Sequence, residues 1–470
     1  MAASSYFTIA ETIEKFAAKE ISPVELVQAH LKRAQALHPL LNAFVHFDAD
    51  GAIARARQAE SEIRSGASQL PLRGIPLTVK SCIDVTGWPC PAGSLLRAEY
   101  TPEINATVVQ RLQDAGSIFL GNSNTPEFLM AYETDNRVNG KTANPWNLRC
   151  SAGGSSGGEA AAIASGCSMG GIGSDGGGSI RVPAHFSGIC GLKPTPGCVP
   201  STGHFPPPGG AFSWLGVVGP MARTVSDLRI LFEVMAGPCA GDPLSAPVPA
   251  RNECSTNLQG LRIGILESSA MGSTTPETQR EVKRAASLLA TQGFHVEPCP
   301  VNNLDAALEL WWFFFGPVIA HLLRQGTKGQ ESLLSPMLKE YLEAAADGPT
   351  VTLQSFMAAC NARDAIRTDI LNQLRDVPIL LSAVASAPAF PHGSGNYRTG
   401  DPYNYRDTMR FCQWLNLTGF PGLSLPMGYS SEGLPINIQL IARPYEEDLL
   451  LKVARSLEQA RGLWQSPPLP

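Results

Sequence analysis

The chain has 470 residues and a formal charge of −5, from 36 basic and 41 acidic side chains; with no basic excess to hold a phosphate backbone, nucleic acid is not expected as a partner. At 44% hydrophobic and 16% charged residues it can bury a large core, and one α/β domain over 1–470 is favoured over two or three smaller ones. Its eleven cysteines are odd in number and scattered, with no C-x-x-C pair and no Cys/His cluster at zinc spacing, so free thiols in a reducing compartment are expected, with no metal and no cofactor.

Residues 1–20 lack a basic stretch followed by an apolar one, and Glu11 and Glu14 fall where a signal peptide would be hydrophobic, which makes the cytoplasm the expected location. Ser22 as N-cap, Pro23 in the first turn, and Val24, Val27 and Leu31 at helical spacing predict a helix to about Leu37. A second helix is expected over 52–63. Short apolar runs at 75–79 and 118–120 read as strands, with a helix over 107–115 between them, an α/β alternation. A helix over 159–164 starts just after a Gly/Ser block, and 169–173 reads as a buried strand. Residues 200–210 read as a surface loop, and 238–254 as a linker or surface excursion. Further strands are expected at 261–266 and 379–384, amphipathic helices at 279–289 and 449–457, and an antiparallel pair at 423–425 and 436–441. The most apolar run, 311–323, contains Gly316 and Pro317 and falls short of the roughly 20 residues a bilayer requires, so no membrane span is expected. The sum is a mixed twisted sheet covered by helices on both faces.

Chemistry concentrates in three segments. Gly74-Ile75-Pro76-Leu77-Thr78-Val79-Lys80 ends an apolar strand on a lysine; Ser155 sits in Gly153-Gly154-Ser155-Ser156-Gly157-Gly158; Ser179 closes Asp175-Gly176-Gly177-Gly178-Ser179. Glycine lets the backbone approach a substrate and opens N–H groups toward a developing oxyanion. A serine hydroxyl needs a base, and none of the eight histidines lies in a local catalytic signature. Desolvation at the end of a strand would lower the Lys80 pKa, so that a neutral amine could take the proton near pH 7. Two rivals fit less well. Gly140-Lys141-Thr142 resembles the end of a phosphate-binding loop, but Asp135 stands where the first glycine is required. G-x-S-x-G occurs around both Ser155 and Ser156, yet a nucleophile elbow needs an apolar strand before it, residues 149–152 are polar, and the late histidine would have to be His392.

Together with Gly173-Ser174 and Ile180-Arg181-Val182-Pro183-Ala184 around Ser179, these segments resemble the amidase signature family in order and spacing. The likeness continues through Asn144-Pro145-Trp146, Gly191-Leu192-Lys193-Pro194-Thr195 and Thr418-Gly419-Phe420-Pro421-Gly422, most of the chain. The resemblance implies that Ser179 is the nucleophile, Ser155 a bridging serine held by a cis peptide after Gly154, and Lys80 the base. It also implies an oxyanion hole from the N–H groups of Gly176, Gly177, Gly178 and Ser179. Leu129, Met130 and Ala131 fall on the family's substrate-lining segment, and Ser156, Asp175 and Arg181 on supporting positions, the last two as a buried ion pair. The catalytic core would span about 70–220 and a variable substrate side about 300–410. Ser81-Cys82 and Ala152 depart from the commoner family pattern, where an acidic residue with asparagine, and a proline, are frequent; Gly176 replaces the larger residue of some members.

The family divides between free-standing amidases and the glutamine-hydrolysing subunit of a transfer-RNA amidotransferase, which needs charged groups to grip glutamine. Residues 304–323 are instead apolar and aromatic. The expected substrate is therefore a small, bulky, neutral, partly aromatic amide, as for aryl acylamidases and fatty acid amide hydrolases, with carbamates (urethanes) open to the same attack. The expected state is a monomer or homodimer. The aromatic run 311–315 reads as helix packing that can also face substrate, and Tyr397, Tyr403 and Tyr405 as either a pocket mouth or a plain surface loop.

Overall fold

In a computed structural model, which describes residues 6–67, 70–247, 258–266 and 271–469, the start signal at Ser22 works as expected. The Ser22 hydroxyl accepts the Glu25 N–H (3.2 Å) and the Glu25 carboxylate accepts the Ser22 N–H (2.9 Å), a capping box on the helix Pro23–Leu41. The helix runs a turn beyond the expected end, to Asn42, whose φ of 47° closes it in the left-handed region that Asn tolerates.

Among the described residues thirteen strands follow: β1 (Phe44–Phe47), β2 (Pro76–Lys80), β3 (Ile118–Ser123), β4 (Ala143–Asn144), β5 (Asn147–Ser151), β6 (Gly170–Asp175), β7 (Cys190–Lys193), β8 (Val217–Ala222), β9 (Arg262–Ile265), β10 (His295–Pro298), β11 (Ile379–Ala383), β12 (Gly422–Tyr429) and β13 (Pro435–Ala442). Eleven form one sheet in the order β1-β3-β2-β6-β8-β7-β12-β13-β11-β9-β10, while β4 and β5 pair separately. The sheet is mixed: β2 runs parallel to β3 and β6, and β9 parallel to β10 and β11, while the other pairs are antiparallel. Helices flank it, among them Gly157–Ala164 against β2 and β6 and Val225–Met235 against β8. Because β2 and β6 are parallel neighbours, Lys80 and Asp175 end their strands at the same edge of the sheet, the edge where α/β proteins place their ligands.

Gly316 and Pro317 do not interrupt the apolar helix. Leu304–Phe313 passes through a π-helical turn, Phe314–Val318, into Ile319–Gly326. The wider turn accommodates the proline, and the Tyr341 hydroxyl donates to the carbonyls this region exposes, Phe315 and Gly316. By length and composition Leu304–Gly326 could cross a membrane, but 61% of its most apolar window is buried inside the protein, as in a core helix. Residues 238–247 are no free linker: Asp242 accepts from the Ser201 N–H (2.7 Å) and the Ala246 N–H donates to Gly197 (3.1 Å), while 248–254 lie outside the described residues. Tyr397 and Tyr405 are buried edge to face with one another, 5.1 Å apart, and only Tyr403 of the three reaches solvent.

Candidate active site

Lys80 ends a strand with every residue buried. Its Nζ lies 2.6 Å from Ser155 Oγ and 3.1 Å from Ser174 Oγ. Burial pushes its pKa down to about 8, against the pull of Cys82, Asp175 and Glu159 in the opposite direction. Glu159, on the helix Gly157–Ala164, has its own pKa pushed up to about 7 by burial and takes hydrogen bonds from Ser123 (2.6 Å) and Thr78. A lysine whose neighbours do not force it to stay charged is one that can accept a proton.

The Gly154–Ser155 peptide is cis. No side chain fits at Gly154, because a Cβ there would sit 2.7 Å from the Ala131 carbonyl oxygen and 2.8 Å from the Glu133 nitrogen. Thr125 donates to the Ser155 carbonyl (2.8 Å) and Thr134 to the Gly153 carbonyl (2.9 Å), so threonines from a neighbouring segment hold this loop. The Ser156 N–H donates to the Ser179 carbonyl (3.1 Å), and the Ser156 hydroxyl lies 3.3 Å from both the N–H and the carbonyl of Ser174, which ties the two serine loops together.

On the second loop Gly176 and Ser179 are partly exposed while Gly177 and Gly178 between them are buried. Asp175 and Arg181 bracket it. Their side chains are fully buried and meet twice, Nη2 to Oδ1 at 2.9 Å and Nε to Oδ2 at 3.0 Å. Burial alone would raise the Asp175 pKa, but the Arg181 guanidinium overrides it and holds the carboxyl well below its usual range. Arg181 also donates to Gln439 (2.8 Å) and Asn416 (2.6 Å), so the pair is satisfied on all sides. Asp175 further accepts from the Gly178 N–H at 2.7 Å. That donor is therefore spoken for, which corrects the expectation that all four N–H groups from Gly176 to Ser179 face an oxyanion; Gly176, Gly177 and Ser179 remain. The outer side of the loop is held by Tyr132, whose hydroxyl donates to the Gly177 carbonyl (2.6 Å), and by Trp311, whose indole donates to the Gly176 carbonyl (3.0 Å).

Ser155, Ser174, Gly176 and Ser179 line one narrow cavity. Leu129 and Met130 are in its lining, whereas Ala131 is not: it is buried, and its carbonyl backs Gly154. The chain turns sharply here, with Phe128 and Leu129 at φ of 50° and 69°, a conformation that costs a non-glycine residue of order 1 kcal/mol or more and is concentrated at functional sites. Phe315, Phe212 and His204 supply further walls; residues 200–210 form the expected surface loop, and His204, its buried member, turns into the cavity. Among the described residues no lysine or arginine lines the cavity. Its two carboxylates are already engaged, Asp175 by Arg181 and Asp242 by the N–H groups of Ser201 and Leu244 (2.7 and 2.9 Å). Through Met130, Pro206 and Phe212 the cavity adjoins a wider, open apolar groove walled by Phe128, Phe205, Ile319, Leu322 and Leu323, with Arg97 among its lining residues, stacked 4.2 Å over Phe205.

Sequence reasoning brought Lys80, Ser155 and Ser179 to one place and passed over Ser174, Cys82, Tyr132 and His204. Ser174 stood inside a quoted motif and Cys82 was noted only as a departure from the family pattern; Tyr132 and His204 come from segments with no local signature. His392 lies away from the cavity with both ring nitrogens unpartnered, and no elbow-type triad forms around it among the described residues.

The profile of the Amidase family matches residues 25–451. A glutamyl-tRNA(Gln) amidotransferase subunit of Carboxydothermus hydrogenoformans is 32% identical over 98% of this chain and 99% of its own. Among solved structures, one from a study of a vestigial protein complex and the origins of an s-triazine catabolic enzyme superposes with a TM-score of 0.89 at 28% identity, over 98% of this chain and 100% of that one. A bacterial aryl acylamidase of the amidase signature family follows at 0.85 and 26%, covering 97% and 96%. The expectation of a self-sufficient monomer or homodimer with no nucleic-acid connection is overturned by the first of these relatives, which is by name one subunit of an enzyme defined by a transfer RNA. By the profile and by full-length identity with such relatives, the chain belongs to the amidase family.

Proposed function

We propose that this chain hydrolyses amide C–N bonds through an acyl-enzyme on Ser179, and the observation that carries the reading is the 2.6 Å contact between a buried Lys80 and Ser155. Ser179 Oγ attacks the carbonyl carbon while Ser155 takes its proton and passes its own to Lys80. The oxyanion meets the N–H groups of Gly176, Gly177 and Ser179, each worth on the order of 3 kcal/mol in such sites. The proton then returns through Ser155 to the leaving nitrogen, the C–N bond breaks, and water releases the acyl group by the same route. Asp175, Arg181 and Ser156 keep the two loops in register. Residues 1–470 act as one catalytic unit, with 70–220 carrying the chemistry and 300–410 the substrate side.

Two readings of the substrate remain, each with its own support. The catalytic cavity, with no lysine or arginine in its lining, and the largely apolar groove beside it favour a neutral, bulky amide, or an aryl or alkyl carbamate, since an α-carboxylate inside the cavity would be desolvated without a cationic partner. The curated relatives weigh toward the other, hydrolysis of glutamine as one subunit of a transfer-RNA amidotransferase. A panel of anilides, aliphatic amides, aryl carbamates and esters, run beside glutamine, separates them: ammonia from glutamine with no anilide turnover would overturn the first. Ser179→Ala is expected to abolish both turnover and labelling by a fluorophosphonate; wild-type rates in that variant would overturn the mechanism.

A further inference from the structure

Beside Lys80 lies a line of polar groups that the relay does not use. Ser174 Oγ is 3.1 Å from Lys80 Nζ, Cys82 Sγ is 3.8 Å from Ser174 Oγ, His204 Nε2 is 3.5 Å from Cys82 Sγ, and His204 Nδ1 is 3.0 Å from the Pro206 carbonyl oxygen. The last contact orients the rest. A carbonyl only accepts, so Nδ1 carries the hydrogen, and a neutral imidazole then presents a bare Nε2. Burial pushes the His204 pKa down to about 4, and Lys80 pushes it the same way, which keeps the ring neutral. Nε2 must therefore accept, and its partner is the Cys82 thiol, which burial keeps protonated. With its own hydrogen committed, the sulfur has only lone pairs left for Ser174, so the Ser174 hydroxyl donates to sulfur and its oxygen accepts from Lys80.

The geometry points to Cys82 and His204 as positioning residues for Lys80: a one-way chain of hydrogen bonds, Lys80 to Ser174 to Cys82 to His204 to the Pro206 carbonyl, that commits one N–H of the amine and turns its lone pair toward Ser155. Without the chain the Ser174 hydroxyl is free to swing round and donate to that lone pair, competing with Ser155. His204 is also a wall of the cavity, stacked on Phe212 with ring centroids 6.2 Å apart, so the chain reaches from the base to the substrate surface. The other ionisable groups acting on Lys80 are Asp175, held by Arg181, and Glu159, held by Ser123 and Thr78.

This inference rests on Lys80 as the base, and the test keeps the two apart. The rate of Ser179 labelling by a fluorophosphonate is followed against pH, a readout that needs no known substrate. Cys82→Ala and His204→Phe, the latter keeping the aromatic stack, are expected to lower the high-pH plateau about tenfold, less than the ~10²–10⁴ that losing a general base costs. Both are also expected to move the rising limb to lower pH, because the freed Ser174 hydroxyl stabilises the neutral amine; a purely structural defect would lower the plateau and leave the limb in place. Cys82→Ser, which keeps a donor and an acceptor, recovers most of the loss. Cys82→Ala with a wild-type plateau and limb, or Cys82→Ser no better than Cys82→Ala, overturns the inference. Lys80→Ala labelled at the wild-type rate overturns instead the relay on which it rests.

Discussion

Replacing Lys80 by methionine is expected to silence the protein and, at neutral pH, to stabilise it. The folded state holds this amine at a pKa of about 8 against the ordinary 10.5, because burial withdraws water from the ammonium. At about 1.4 kcal/mol per tenfold, that difference amounts to roughly 3 kcal/mol by which a charged Lys80 disfavours folding. Methionine removes this cost at similar length and volume, but leaves Ser155 and Ser174 each without one partner, about 1 kcal/mol apiece. The balance at pH 7 is a gain of roughly 1 kcal/mol for Lys80→Met. The sign with pH follows from linkage. Between pH 8 and 10.5 the unfolded chain still binds the proton that the folded one has released, so wild-type stability rises with pH through that window while the variant, lacking the group, does not share the rise. By pH 10.5 the variant is the less stable of the two, the gap having moved by roughly 3 kcal/mol. Urea denaturation of both proteins between pH 6.5 and 10.5, read from the seven tryptophans, measures it. A gap that is flat with pH would refute the claim that Lys80 is destabilised by burial, whatever its offset.

The same group sets the activity profile: Ser179 labelling should rise with pH, pass half-maximum near pH 8 and level off above it, and a profile already flat from pH 6 would contradict a lysine base. Asp175→Ala leaves Arg181 charged and fully buried without its partner, at a cost of about 3–5 kcal/mol in urea denaturation; a loss below 1 kcal/mol would show the pair to be dispensable. Leu323→Gln in the apolar groove should cut kcat/KM for a long-chain or aryl amide about tenfold while leaving acetamide within twofold, since one buried leucine contributes about 1.5–3 kcal/mol. Equal losses on both substrates would mean that the groove takes no part in binding.

Much of this arrangement could be read from the chain because its signals are local. The cap at Ser22, the apolar run ending on Lys80 and the glycines around the two serines each report on their own neighbourhood, and parallel pairing of β2 with β6 then sets the lysine and the second serine loop at one edge. What escaped is what depends on distant pairing. Asp175 captures the Gly178 N–H through a three-residue turn that composition cannot reveal. His204 reaches Cys82 across 122 positions, and Tyr132 finds the Gly177 carbonyl across 45. The helix through Gly316 and Pro317 failed as a rule of local propensity because Tyr341 and a widened turn supplied what proline withholds.

The bond from the Trp311 indole to the Gly176 carbonyl joins the segment that would be exchanged to alter substrate preference to the loop that would carry the reaction. A graft of residues 300–410 from a relative would therefore not be neutral toward rate: without an indole donor at 311 the Gly176–Gly177 peptide can rotate, and the Gly177 N–H with it. Redesign of selectivity has a safer course about two to three turns along the same helical segment, at Ile319, Leu322 and Leu323, which wall the groove outside the catalytic cavity and leave the tryptophan where it is.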